Sequence, residues 1–215
     1  AELFGFGEPS GIDLPAETSG LVPTTKWKRV NYSESWVTGD TYNMAIGQGF
    51  VLATPLQVLN SVAAVANGGI LYRPQLVREI IDSNGGTVQA FAPDVIRQVP
   101  VSPQYLELVR QGMRNAVAGA GGTAHGINVP GVAVAGKTGT AEYFVDRNKD
   151  GIHDRDREGN LPTHAWFTAF APYDDPEIAV VVFVFGGGEG SASAVPVANE
   201  ILNYYFERDI GDSSP

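Results

Sequence analysis

The run IAVVVFVF, residues 178–185, is apolar at every position. A strand with one wet face alternates apolar and polar residues, so an unbroken run implies a strand inside a sheet covered on both faces. At eight residues it is too short to span a bilayer as a helix, which takes about 20 residues. Two further strand patterns precede it, one within residues 132–144 around AGKTGTAEYF and one at HAWFTAFAP, residues 164–172. The short turn YDDPE between the second and third strands makes them antiparallel neighbours. From about Ala194 to Phe206, Val197, Ile201, Leu202 and Tyr205 recur at helical spacing and predict a helix lying over one face of that sheet. The chain therefore reads as α/β, of the α+β type, with an antiparallel sheet of at least three strands and a C-terminal helix.

Two more helices are predicted upstream. In TPLQVLNSVAAVANGG, Thr54 serves as N-cap and Pro55 suits the first helical position. Leu56, Leu59, Val62, Ala63 and Ala66 then mark a buried stripe that Asn67-Gly68-Gly69 ends. A second helix runs from about Pro103 to Ala118 behind Ser102, with Leu106, Val109, Met113 and Val117 facing inward. Between them the Asn84-Gly85 pair predicts a small hairpin. Residues 1–53, rich in Gly, Pro, Ser and Thr, read as an irregular wrapping segment.

With 215 residues, 43% of them hydrophobic, the chain can bury the core of one domain or most of one. A net charge of -10 without a Lys/Arg cluster argues against a nucleic-acid partner. The absence of cysteine excludes disulfides, thiolate-bound zinc and a thiol nucleophile. The opening AELFGFG has neither an initiator methionine nor a signal-peptide pattern, so the sequence is expected to be an excerpt of a longer protein.

The strand pattern at AGKTGTAEYF lacks bulky side chains. Alternation puts Lys137, Gly139 and Ala141 on one face and Thr138, Thr140 and Glu142 on the other. Glycine inside a strand often marks the close approach of a ligand or another backbone. Small residues beside a lysine suit an anion or an extended peptide docked on the strand edge. An edge strand guarded by its lysine is the plainer alternative.

Lys-Thr-Gly-Thr belongs to a longer series: FGFGEPSGIDLPAE at 4–17, WKR at 27–29, Trp36 with GDTYNMAIGQG at 39–49, TPLQ at 54–57, ANGG at 66–69, GKTGTAE at 136–142 and HAWFTAFAP at 164–172. In order and spacing this series resembles the class B penicillin-binding proteins, above all their elongation-type transpeptidases, over nearly the whole chain except about 145–162. The resemblance implies a partial transpeptidase fold of the penicillin-binding-protein and β-lactamase type, residues 1–215 being the C-terminal portion of one domain with part of its helical subdomain. It implies that Lys137 joins the nucleophile's hydrogen-bond network, that Thr138 and Thr140 bind a substrate carboxylate, and that the Thr140 N–H forms half of an oxyanion hole. Gly139 would let the substrate lie against the backbone, with Glu142 and Tyr143 beside it. Implied partners are peptidoglycan stem peptides ending in D-Ala-D-Ala, β-lactams, the missing N-terminal part of the domain and a lipid-linked glycan polymerase. The implied location is the extracytoplasmic face of the bacterial cytoplasmic membrane, with the anchor elsewhere in the parent protein. No cofactor is required for acyl transfer.

The family pattern also requires Ser-x-x-Lys and Ser-x-Asn, and no serine of this chain starts either. The chain alone is therefore expected to be inactive. A serine β-lactamase or sensor of the same fold, and a non-catalytic calcium-binding or interaction module, are the alternatives. None of His125, His153 and His164 sits in a nucleophile-activating context, and Trp27, Trp36 and Trp166 read as packing residues.

The stretch DRNKDGIHDRDRE opens like a calcium loop, D-x-N-x-D-G. Candidate ligands are Asp146, Asn148, Asp150, the Ile152 carbonyl, Asp154, Asp156 and Glu158, with Arg147, Lys149, Arg155 and Arg157 turned away. Position 12 is Arg157 instead of the usual glutamate, so closure falls to Asp154 with Asp156 or Glu158. A structural Ca2+ is expected here, against a solvated, salt-bridged loop as the plainer reading. Finally, the run 178–185 is expected to expose a strand edge through which the chain self-associates.

Overall fold

The computed structural model describes residues 1–147 and 149–212. Three strands form the central antiparallel sheet in the order β5 (Ala135–Glu142), β6 (Thr163–Ala171), β7 (Ile178–Val184). The β5–β6 pairing runs from Ala135 opposite Phe170 to Glu142 opposite Thr163 with no irregularity. Helix α5 (Gly190–Asp212) lies over one face, where Ala194, Val195, Ala198 and Leu202 pack on Ala165, Phe167, Ala169, Val180 and Val182. Small residues on the helix let it approach the sheet closely. Val197 and Ile201, expected to face the sheet, are exposed, because alanines and Val195 take the contact stripe instead.

On the opposite face α3 (Pro55–Ala66) and α4 (Pro103–Ala118) cover one end of the sheet, where Val62, Ala66 and Met113 meet Ala135 and Phe170. Both helix spans match the sequence reading. Thr54 and Gln57 cap α3 reciprocally: the Gln57 N–H donates to Thr54 Oγ1 at 3.1 Å and the Thr54 N–H to Gln57 Oε1 at 3.0 Å. Gln57 is itself buried, and its Nε2 donates to the carbonyls of Glu8 and Ser19, each at 2.8 Å. The TPLQ motif thus starts a helix and pins the N-terminal segment with one side chain. Val109 on α4 is exposed, unlike its expected inward position.

The first 53 residues are more regular than their composition suggests. They contain α1 (Thr25–Tyr32) and α2 (Thr38–Ala45), joined through Lys28, whose buried ammonium lies 2.7 Å from Asp40 Oδ2. Trp27 packs against Tyr32 and Phe50, and the Trp36 indole N–H donates to Thr41 Oγ1 at 2.8 Å. A strand pair absent from the sequence reading, β1 (Ile70–Arg73) with β4 (Asp94–Gln98), brackets the expected hairpin of β2 (Glu79–Ile81) and β3 (Thr87–Ala90). Among the described residues no helix is long and apolar enough to cross a membrane.

Candidate active site

Strand β5 is an edge strand with one side open. The Thr140 carbonyl accepts from Gln48 Nε2 at 3.1 Å and the Thr138 carbonyl from Lys137 Nζ, so both residues turn their backbone polar groups away from β6. The alternation read from the sequence holds. Thr138 and Thr140 share a face with the start of α5, and Lys137 lies exposed on the other face.

Each threonine hydroxyl has a partner. Thr138, buried, shares a hydrogen bond of 2.6 Å with Thr123 Oγ1, from the loop after α4. The Thr140 hydroxyl donates to Glu189 Oε2 at 2.9 Å and accepts from the Gly190 N–H at 3.4 Å. Gln48, Thr123 and Glu189 were not singled out from the sequence, since each reaches β5 only through tertiary folding. The one available signal was Gln48's place in GDTYNMAIGQG.

The glycines have internal causes as well. A Cβ on Gly136 would lie 2.5 Å from Phe167 Cζ, and one on Gly139 would lie 3.1 Å from Trp166 Cβ. Neighbouring side chains therefore already use the space that these residues leave. Lys137 stands at one rim of an apolar cavity of about 1050 Å³ lined by Phe4, Val65, Leu106, Val109 and Met113. Thr168, opposite Lys137 in the register, also lines it, and its hydroxyl is buried without a hydrogen-bond partner.

Beyond Thr140, Glu142 is exposed and Tyr143 stacks on His164 with ring centroids 4.0 Å apart. The Gly186 N–H donates to His164 Nδ1 at 3.1 Å, and burial pushes the His164 pKa down. The imidazole is therefore neutral at neutral pH, an acceptor at Nδ1 and part of an aromatic cluster with Phe183 and Phe185.

In the loop between β5 and β6 the four aspartates are held by the protein itself. Asp146 accepts from the N–H groups of Asp150 and Gly151, at 3.1 and 2.8 Å, and Asp150 from that of Ile152 at 2.8 Å. Asp156 accepts from the N–H groups of Glu158 and Asn160, at 2.9 and 2.8 Å. Arg147 folds back onto Asp154 at 3.2 Å, whereas it was expected to point away. Asn148 lies outside the described residues. Among the described residues no three His, Asp or Glu side chains converge as they would around an ion.

Comparison with known proteins bears on the whole arrangement. Residues 1–203 match the family model described as the penicillin binding protein transpeptidase domain. Peptidoglycan D,D-transpeptidase MrdA of Haemophilus influenzae is 36% identical over 208 residues, covering 95% of this chain and 32% of the relative. Penicillin-binding protein 2 of Pseudomonas aeruginosa, solved in complex with WCK 5153, superposes with a TM-score of 0.76 at 33% identity, covering 95% of this chain and 42% of that one. The Helicobacter pylori protein of that name, solved in complex with MreC, gives 0.74 at 32% identity, covering 96% and 34%. The chain thus spans about a third of the length of the curated relatives it matches. The open β5 edge carrying Lys-Thr-Gly-Thr, the helices on both faces of the sheet and these matches together establish that the chain belongs to the penicillin-binding protein transpeptidase family.

Proposed function

We propose that this chain is the C-terminal portion of a D,D-transpeptidase domain that cross-links peptidoglycan stem peptides, and that it supplies the strand on which the donor peptide is bound. The carrying observation is the open β5 edge, where the backbone polar groups of Thr138 and Thr140 face outward below two hydroxyls on one face of the strand. A peptide ending in D-Ala-D-Ala can add to that edge, its terminal carboxylate meeting the two threonine hydroxyls. A serine from the portion of the domain outside this chain attacks the carbonyl of the penultimate D-Ala, and Lys137 aids transfer of the hydroxyl proton. The Thr140 N–H then stabilises the tetrahedral oxyanion, a donor worth about 3–4 kcal/mol of barrier. Cleavage releases the terminal D-Ala and leaves an acyl ester on the serine, which the amine of a second stem peptide attacks to form the cross-link. A β-lactam enters the same path and stops at the acyl ester.

The relatives' names favour this reading over a hydrolytic β-lactamase. The proposed location is the outer face of the bacterial cytoplasmic membrane, with a lipid-linked glycan polymerase as partner. The test is labelling with a fluorescent penicillin, read by intact mass. This chain alone should remain unlabelled, and adding a separate segment carrying Ser-x-x-Lys and Ser-x-Asn should restore stoichiometric acylation that Lys137→Ala abolishes. Labelling of the chain alone, or failure of the reassembled pair, counts against the assignment.

Calcium binding between β5 and β6 is an independent proposal. It is supported by the D-x-N-x-D-G spacing and by the curl of Asp146 over Gly151, which holds φ at +84°. An ion there has to draw Asp146, Asp150 and Asp154 off the amides and the arginine that now hold them. Calorimetric titration of metal-stripped protein decides it: heat with calcium, lost in an Asp146→Ala, Asp150→Ala double variant, supports the site. No heat at millimolar calcium leaves a solvated loop.

A further inference from the structure

Thr140 is engaged by two groups that resemble its proposed ligand. Its carbonyl accepts from the side-chain amide of Gln48 at 3.1 Å, and its hydroxyl donates to the carboxylate of Glu189 at 2.9 Å. A peptide terminus laid along the open edge presents the same pair, an amide N–H and a carboxylate. We propose that Glu189 is an internal stand-in for the terminal carboxylate of the donor peptide, holding the Thr140 hydroxyl in the free protein and being displaced when the ligand binds. This rests on the carboxylate-binding reading of β5 given above.

The surroundings of Glu189 fit that role. Its side chain is exposed, and among the described residues no ion pair with a lysine or arginine involves it. The backbone around it is fixed on both sides. The Gly188 N–H donates to the Thr163 carbonyl at 3.1 Å, the Ser193 hydroxyl to the Gly187 carbonyl at 2.6 Å, and Gly190 sits hard against the Gly139 backbone. Displacement therefore needs only rotation of the Glu189 side chain, with the loop kept in place. A carboxylate left on Thr140 would occupy the hydroxyl proton and repel an incoming carboxylate. The residue thus lowers the affinity for anionic ligands while leaving neutral ones largely alone.

The experiment is a titration of the chain, as wild type, Glu189→Ala and Glu189→Gln, with N-acetyl-D-Ala-D-Ala and with its C-terminal amide. The readout is the amide resonances of Thr140 and Gly190. Release of one ordinary hydrogen bond and one like charge should tighten the carboxylate peptide about fivefold in Glu189→Ala, with the same direction in Glu189→Gln, while the neutral peptide, which gains only the freed hydroxyl, tightens distinctly less. Equal affinity of the carboxylate peptide for wild type and variants, or an equal gain for both peptides, overturns the stand-in. If neither peptide moves these resonances in any of the three proteins, the carboxylate-binding reading itself fails, and the stand-in with it.

Discussion

At the scale of single residues, the charged pair that joins α1 and α2 links stability to pH. Lys28 Nζ and Asp40 Oδ2 are 2.7 Å apart, with Glu34 at 3.4 Å from the same ammonium and the Val37 N–H donating to Asp40 at 2.8 Å. The hydrogen bond from Lys28, then that from Val37, holds the Asp40 pKa below its ordinary value, and the bond to Asp40 raises that of Lys28. An aspartate in the unfolded chain titrates near ~3.9 and a lysine near ~10.4. The Asp40 contribution is therefore intact above about pH 4 and is lost as the pH falls through its lowered folded value. The Lys28 contribution is intact below about pH 10 and is lost as the pH climbs through its raised value. Thermal melts of wild type and Asp40→Asn should differ across the neutral range and converge in strong acid. A difference that persists undiminished at about pH 2 would show that the carboxylate's charge is not the cause. The WKR stretch was visible in the sequence as a motif. That its lysine is buried against an aspartate twelve residues on was not, because nothing local distinguishes Lys28 from the exposed Lys26.

At the scale of elements, the junction between α5 and β5 leaves no room for a side chain at Gly190. A Cβ on Gly190 would lie 2.4 Å from the Trp166 carbonyl oxygen and 2.5 Å from that of Gly139, both backbone atoms that no rotamer change can move aside. Gly190→Ala must therefore push the start of the helix off the sheet. The expected cost is about 1–3 kcal/mol, measured as a lower urea midpoint, together with loss of the Thr140–Glu189 contact in the NMR spectrum. The long periodic elements, α3, α4 and the central strands, were legible because packing and local pattern agree there. The short ones were not. The eight residues of α1 and of α2 offer about two turns each, too few for a periodicity, and their apolar residues are interrupted by polar ones. Strand β4, largely exposed and carrying Asp94, Arg97 and Gln98, is specified by its partner β1 more than by its own composition. In the candidate site Lys137, Thr138 and Thr140 are the residues the motif points to, whereas Thr123 and Glu189 enter from loops whose closure onto β5 depends on the whole fold.

At the scale of the whole molecule, two apolar surfaces stand open. Among the described residues β7 pairs only with β6, and Phe183 and Phe185 at its end are 37% and 73% exposed. The cavity beside Lys137 is the second. An unpaired apolar edge is a template for another strand, so the isolated chain should self-associate or hold a displaced segment along β7. Light scattering and hydrogen exchange test this together. A monodisperse monomer with rapid exchange from Ala179 to Phe183 would contradict it.

The β5–β6 connection has a different consequence, for how such a protein can vary. The two strands keep a single register up to Glu142 opposite Thr163, and the Tyr143 N–H still reaches the Pro162 carbonyl at 3.0 Å. The described residues beyond that clasp lie outside the sheet, and lengthening a loop costs free energy only logarithmically in its length. Insertions and deletions at that tip can therefore be absorbed without shifting Lys137 or Thr140 by a single pairing, so the length of the connection is uncoupled from the register of the candidate site.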